Sequence, residues 1–107
     1  MLRIHGVIID TIRLTAPLAL VIARQDRDLA SQYRRALSSV ALNTAEGSNQ
    51  RGARRASHYS IALGSAEEAL SALMTAAAWG YMPEPSDEVR ARFRQIIGTL
   101  YRVARPR

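Results

Sequence analysis

Apolar residues recur along most of this chain at alternating spacings of three and four, the pattern of helices that bury one face. No stretch shows the alternation of apolar and polar residues that is typical of a strand. The spacing predicts helices over residues 7–23, residues 26–49 and residues 53–79, and a fourth helix after residue 86. The expected core positions are Ile8, Ile12, Leu18 and Ile22 in the first helix, Leu29, Tyr33, Ala36, Leu37 and Val40 in the second, and Val89, Phe93, Ile96, Leu100 and Val103 in the fourth.

Residues with strong local preferences stand near the predicted helix ends. Either Asp26 or Asp28 can cap the second helix, and Ser86 can cap the fourth. Gly80 suits the C-terminus of the third helix, and we expect Pro17 to kink the first. Short connections favour antiparallel neighbours. The 107 residues therefore predict a single domain, an all-α, up-and-down antiparallel four-helix bundle.

The third predicted helix carries two stripes at helical spacing. One stripe would face the bundle and consists of Tyr59, Leu63, Ala66, Leu70, Leu73 and Ala77; the other is made of small residues, Ala62, Ser65, Ala69, Ala72 and Ala76. A bundle helix needs only one core stripe, and small residues let a second helix approach closely. This pattern predicts a homo-oligomer packed through the small stripe. The alternative is that alanine simply favours helix and tolerates exposure.

No segment of the sequence resembles a membrane anchor or a disulfide framework. The longest uncharged runs, residues 14–23 and 69–83, are shorter than the roughly 18–20 residues of a membrane span. Asp10 and Arg13 interrupt the apolar part of the first helix. Cysteine is absent, which fits a reducing compartment. We expect a cytoplasmic protein with no membrane partner.

The charge of the chain is strongly basic. There are 15 basic residues, all of them arginine, against 9 acidic residues, which gives a net charge of +6. Guanidinium groups match phosphate and carboxylate with a rigid fork of donors. The composition therefore indicates a polyanionic partner such as RNA or DNA. The alternative is a solvated arginine-rich surface.

Residue patterns for catalysis or metal binding are missing from the sequence. No Glu is followed three residues later by His, so the di-iron pattern of helical bundles is not met. His5 and His58 are far apart, and Glu67 and Glu68 are adjacent and point in different directions on a helix. We therefore predict that the protein is not an enzyme and has no metal site and no cofactor.

Asn43 and Glu46 lie three residues apart on the second predicted helix and so share a face, as Arg35 does with Ser39 and Asn43. One interpretation is a polar pocket. The other is a closed hydrogen-bond network in which Glu46 accepts from an arginine or from backbone amides. We favour the closed network, because no acid–base partner is visible.

The segments QYRRALSSVALNTAEGS, YSIALGSAEEAL and AAWGYM resemble the four-helix bundle family typified by the reading frames in intervening sequences of bacterial 23S ribosomal RNA genes. The matching positions are Gln32, Arg34, Arg35, Ala36, Asn43, Ala45, Glu46, Gly47, Ser48, Ala62, Gly64, Ser65 and Glu68. The likeness is strong over about residues 28–82. The chain departs from the family pattern at Ala41, where proline is usual, and in the thinner aromatic start of the third helix.

The resemblance implies a left-handed bundle that assembles into a ring, a homopentamer, without enzymatic activity. A related branch is the accessory protein of diversity-generating retroelements, a basic pentamer that works with a reverse transcriptase and RNA. For this chain, the resemblance therefore adds a reverse transcriptase or another acidic protein to the candidate partners.

An antiparallel bundle places the turn between helices two and three at the same end as both termini. We expect that end to collect the arginines and to bind nucleic acid. The candidate binding residues are Arg3, Arg51, Arg54, Arg55, Arg102 and Arg105. We further expect Gly47 and Gly52 to allow the turn, and Gly64 and Ser65 to permit close helix packing.

Three hypotheses on function follow. The leading one is a non-enzymatic homo-oligomer that binds RNA through arginine–phosphate contacts. A protein-interaction scaffold with an acidic partner is the alternative. The third is an enzyme at a subunit interface that uses Arg35, Asn43 and Glu46, and it requires their pocket to be open to solvent.

Overall fold

A computed structural model describes residues 2–104 of the chain. This part of the chain contains four helices and no strand: α1 (Ile4–Gln25), α2 (Arg27–Ser48), α3 (Gly52–Ala78) and α4 (Asp87–Val103). Each helix packs on its neighbour in the chain, and α1 also packs on α4, so the four helices form a closed bundle in the order α1, α2, α3, α4. The predicted all-α class and the four helices are confirmed.

Local capping explains where the helices begin and end. Asp26 follows the last residue of α1, and its carboxylate accepts a hydrogen bond from the backbone amide of Leu29 at 2.9 Å, so Asp26 rather than Asp28 caps α2. Ser86 caps α4 by accepting from the amide of Val89 at 3.2 Å. Gly80 has a φ of 81°, a left-handed conformation that glycine adopts without steric strain. This conformation terminates α3.

The core stripe of α3 differs from the expected one. Ala62, Ala66, Ala69 and Ala76 are completely buried together with Leu73, whereas Leu63, Leu70 and Ala77 are only half-buried. The small stripe therefore belongs to the interior of the single chain, and the prediction that it packs a second copy is wrong. The physical reason is the close approach of α2 and α3, which form the most extensive helix pair. Small side chains fill that narrow space, and Leu70 lies on the flank of α3 that forms a groove with Ile97 of α4.

Two threonines occupy core positions of α1 that the sequence pattern assigned to larger apolar residues. Thr11 and Thr15 are completely buried, while Ile12 and Leu18 are half-buried. The Thr11 hydroxyl donates to the carbonyl of Val7 at 2.7 Å, and the Thr15 hydroxyl donates to the carbonyl of Thr11 at 2.8 Å. Because both hydroxyls are satisfied by the helix itself, their burial costs little. Ile8 and Ile22 are buried as predicted.

Helix α1 is more apolar than its place in the bundle requires. It spans 22 residues with a mean hydropathy of 1.8, so by length and composition alone it passes the test for a membrane span; 28% of its apolar window is buried in the bundle. The helix runs without interruption through Pro17, which is exposed. A core helix of a bundle meets the same test. The expectation of no membrane partner stays a prediction.

Candidate functional site

The turn between α2 and α3 is built around two glycines with different tasks. Gly52 opens α3 with a φ of 57°, which confirms its expected role in the turn. Gly47 lies inside the last turn of α2, where it is buried against the ring of Tyr59. Its lack of a side chain therefore allows close packing of α2 on α3, not the turn itself.

Arginines surround this turn, and one of them holds it in place. The Nε atom of Arg55 donates to the carbonyl of Gln50 at 2.8 Å and to that of Gly47 at 3.3 Å. These carbonyls lie at the C-terminus of α2, where a cation is also favoured by the helix dipole. Arg55 therefore has a structural role that sequence reasoning did not anticipate.

The other arginines at this end have unused donors. Arg51 stands at the N-cap of α3 and Arg54 in its first turn; both are exposed and make no hydrogen bond or ion pair with residues 2–104. The first turn of α3 holds no acidic residue, and no side chain in the described part of the chain caps it. The two ion pairs of the described residues, Arg13–Asp10 and Arg90–Glu84, both lie outside this turn. The α2–α3 end is thus a positive surface whose donors face solvent.

Of the remaining candidate arginines, the structure describes Arg3 and Arg102. Arg3 directly precedes α1 and lies at the same end of the bundle as the α2–α3 turn. Arg102 lies in the last turn of α4, where its guanidinium donates a hydrogen bond to the Thr99 hydroxyl at 3.4 Å. Arg105 lies outside the described residues.

A chain of hydrogen bonds crosses the contact between α2 and α3. The Asn43 amide donates to the carbonyl of Ser39 at 3.0 Å and to its hydroxyl at 3.1 Å. The hydroxyls of Ser39 and Ser65 are 2.8 Å apart, and the Nδ1 atom of His58 is 3.0 Å from the side-chain oxygen of Asn43. All four residues are half-buried.

The orientation of the Asn43 side chain fixes the direction of its hydrogen bonds with Ser39 and His58. The Ser39 carbonyl only accepts, so the amide nitrogen of Asn43 must face it and the amide oxygen must face His58. His58 therefore carries a proton on Nδ1 and leaves Nε2 as an acceptor in its neutral form. The arrangement is a polar brace between two helices, and each helix contributes two of its residues.

Glu46 is not part of this brace, which corrects the expected network. Glu46 is exposed and makes no hydrogen bond or ion pair within the described residues, because it lies one turn beyond Asn43 on the solvent side of α2. Arg35 and Glu68 are exposed as well. Gly64 is exposed, and a Cβ atom added there would meet nothing within 4 Å, so its predicted packing role is wrong; Ser65 does lie at the helix contact.

His58 is the brace residue that sequence reasoning missed. An antiparallel pair centred on the turn places residue 43 opposite residues near 58, so the register of the two helices was the available signal. A shallow groove of about 500 Å³ lies beside the brace on α2 and is lined by Arg34, Arg35, Leu42, Asn43 and three serines, Ser31, Ser38 and Ser39. The two charged side chains that line this groove, Arg34 and Arg35, are both cationic.

Comparison with known proteins identifies one family. The sequence profile described as 23S rRNA-intervening sequence protein matches residues 11–102, which cover most of the chain and include part or all of each of the four helices. Among curated proteins and among solved structures, none gives a significant match.

Proposed function

This chain belongs to the family of 23S rRNA-intervening sequence proteins, and on that premise we propose that it is a non-enzymatic protein that binds RNA through arginine–phosphate contacts. The contact surface is the α2–α3 end of the bundle, with Arg51, Arg54 and Arg3 as the main phosphate-binding residues. In this proposal, left-handed bundles assemble into a homopentameric ring that repeats the surface five times.

The observation that carries the proposal is the pair of arginines at the start of α3 that have no partner among the described residues. Arg51 and Arg54 stand beside backbone amides that no side chain caps, and phosphate is favoured by both the guanidinium groups and the helix N-terminus. Arg55 supports the surface by holding the turn through two backbone carbonyls.

Phosphate contacts alone do not recognise the base sequence of an RNA, so a single copy would bind weakly and without base preference. A ring would bring several such surfaces onto one RNA, which raises the effective concentration after the first contact. Arg102 and Arg105 would then serve as secondary contacts. This proposal accounts for the net charge of +6.

The test is fluorescence anisotropy with structured RNA and with duplex DNA across a salt series. The variant is Arg51→Ala/Arg54→Ala, which leaves Arg55 in place to keep the turn. The matched control is Arg13→Ala/Arg90→Ala, which removes the same charge from arginines that are already ion-paired elsewhere. We expect the first variant to weaken binding and to lower the salt dependence by about one unit of slope per lost phosphate contact.

Equal losses in variant and control would show that only net charge matters and would overturn the assigned surface. Absence of RNA and DNA binding at low salt would overturn phosphate binding altogether. The alternative function, a scaffold for an acidic protein, would then be tested by salt-dependent binding to that protein.

A further inference from the structure

Two apolar grooves run along the bundle, and they face opposite directions. The α1/α2 groove has a volume of about 360 Å³, and the α3/α4 groove has one of about 430 Å³. Because the helices pack in the order α1, α2, α3, α4, the side formed by α1 and α2 lies opposite the side formed by α3 and α4. The residues that matter here are Ile12, Leu20 and Arg34 in the first groove, and Glu67, Leu70 and Met74 in the second.

The α1/α2 groove holds apolar surface that the bundle leaves uncovered. Only 28% of the apolar window of α1 is buried, and Leu20 is 65% exposed. Yet α1 is fixed in the bundle, because Ile8 and Ile22 are fully buried and Tyr33 donates a hydrogen bond to Thr15 at 2.6 Å. The uncovered surface therefore suits a protein partner that packs against the side of α1.

The exposed centres of the two grooves lie at the same height along the bundle. Tyr33 is hydrogen-bonded to Thr15, and Ser39 to Ser65, which fixes the register of α1, α2 and α3. Leu20 is then level with about residue 76 of α3, and Met74, which is 47% exposed, lies about 3 Å from that level.

The charges of the two grooves are complementary. Arg34 is the one charged residue among the described residues that line the α1/α2 groove, and Glu67 is its counterpart in the α3/α4 groove. By the same register, Arg34 is level with about residue 70 of α3, so Glu67 lies about 4–5 Å from it in height. Neither side chain has a hydrogen-bond or ion-pair partner within residues 2–104.

We propose that the α1/α2 groove of one copy packs against the α3/α4 groove of the next copy, with Leu20 against Met74 and Arg34 beside Glu67. A sideways shift at constant height, together with a rotation about an axis parallel to the helices, brings these groups together. The contact joins two different surfaces, so it is head-to-tail and closes into a ring when the rotation permits. This contact rests on one part of the proposed function, the self-association of the chain. It does not depend on phosphate binding.

The test uses light scattering with Leu20→Asp and Met74→Asp, each of which damages one groove while leaving the core intact. Leu42→Asp is the matched control, since Leu42 is 70% exposed on α2 and lines neither groove. We expect the wild type and the control to be oligomeric, and each groove variant to have the mass of one chain, 11.8 kDa.

Mixing the two groove variants gives the decisive result. Each variant keeps the groove that the other lacks, so an equimolar mixture should form a dimer of twice the chain mass, held by one intact contact. Charge reversal gives a second readout: Arg34→Glu should dissociate the oligomer, and adding Glu67→Arg should restore it.

Several outcomes would overturn the contact. An oligomer that survives both groove variants, or one that Leu20→Asp dissociates and Met74→Asp does not, excludes a head-to-tail contact through these grooves. A monomeric wild type overturns both this contact and the proposed ring. An oligomeric wild type that fails to bind RNA overturns phosphate binding and leaves the contact standing.

Discussion

Gly47 of α2 lies so close to Tyr59 of α3 that a Cβ atom on Gly47 would come within 2.6 Å of the Cε1 atom of the tyrosine ring. Tyr59 is 3% exposed, so its ring has little room to move away. The two helices therefore depend on the absence of a side chain at this position.

Gly47→Ala should lower the free energy of unfolding by about 1–3 kcal/mol, because the added methyl group overpacks the α2–α3 contact. Gly64→Ala is the matched control in the exposed middle of α3, where a methyl group meets nothing and alanine favours helix by up to about 1 kcal/mol. Urea unfolding of both variants measures the difference. Equal effects of the two substitutions would contradict the assigned packing.

Thr44→Val should raise the free energy of unfolding by about 1 kcal/mol. The Thr44 hydroxyl is completely buried and has no hydrogen-bond partner within residues 2–104, so replacing it with a methyl group removes a desolvation cost without changing the shape. Thr15→Val is the control with opposite sign, since its hydroxyl donates to Thr11 and accepts from Tyr33. A loss of stability in Thr44→Val would show that its hydroxyl does have a partner.

Stability should fall as the pH rises above 10, and Tyr33 should contribute to that fall. Burial raises the pKa of the Tyr33 phenol from 10.0 to about 12, against the weaker opposing effect of the Thr15 hydrogen bond. The folded chain then holds this proton more tightly than the unfolded chain. The contribution is complete below pH 10, is lost up to pH 12, and amounts to roughly 2–3 kcal/mol.

Tyr33→Phe tests this dependence. The variant should be less stable at pH 7 by about 1 kcal/mol through loss of the hydrogen bond, and its stability should decline less between pH 10 and pH 12. Urea midpoints at a series of pH values give both quantities. Identical slopes for the variant and the wild type would contradict the raised pKa.

Neutral His58 should carry its proton on Nδ1. The amide orientation of Asn43 imposes this, because the Asn43 oxygen can only accept. Nitrogen chemical shifts of the imidazole ring distinguish the two tautomers directly. In Asn43→Ala the preference for Nδ1 should be lost, whereas Gln32→Ala on the same helix should leave it unchanged.

Arg55→Ala should destabilise the chain by about 1 kcal/mol, and Arg54→Ala should have almost no effect. Arg55 donates to two backbone carbonyls at the end of α2, while Arg54 makes no such hydrogen bond with any residue that the structure describes. Thermal unfolding of the two variants compares equal losses of charge in neighbouring positions. Equal melting temperatures would remove the structural role of Arg55.

Features that depend on a few neighbouring residues could be predicted from the sequence. Ser86 and Gly80 act through local capping chemistry, so their roles could be predicted from the amino-acid sequence. The core face of α3 was not, because Leu63 and Ala62 are both acceptable core residues and only the distance to α2 decides between them.

The candidate site shows the same division. The position of Arg51 and Arg54 at one end followed from the order of the helices. The brace of Asn43 with His58 depends on the register of α2 against α3, which residue types alone do not specify. Glu46 was misplaced for a related reason: its spacing from Asn43 shows a shared face, but not which side of that face turns towards solvent.

The order in which the helices pack has a consequence for folding speed. Three of the four main helix contacts join helices that follow each other in the chain, and the most extensive of them spans the short α2–α3 turn. Closing a short loop loses little chain entropy, so this hairpin should form in the folding transition state, and the contact of α1 with α4 should form last. The bundle should accordingly fold on the microsecond-to-millisecond timescale of proteins rich in local contacts.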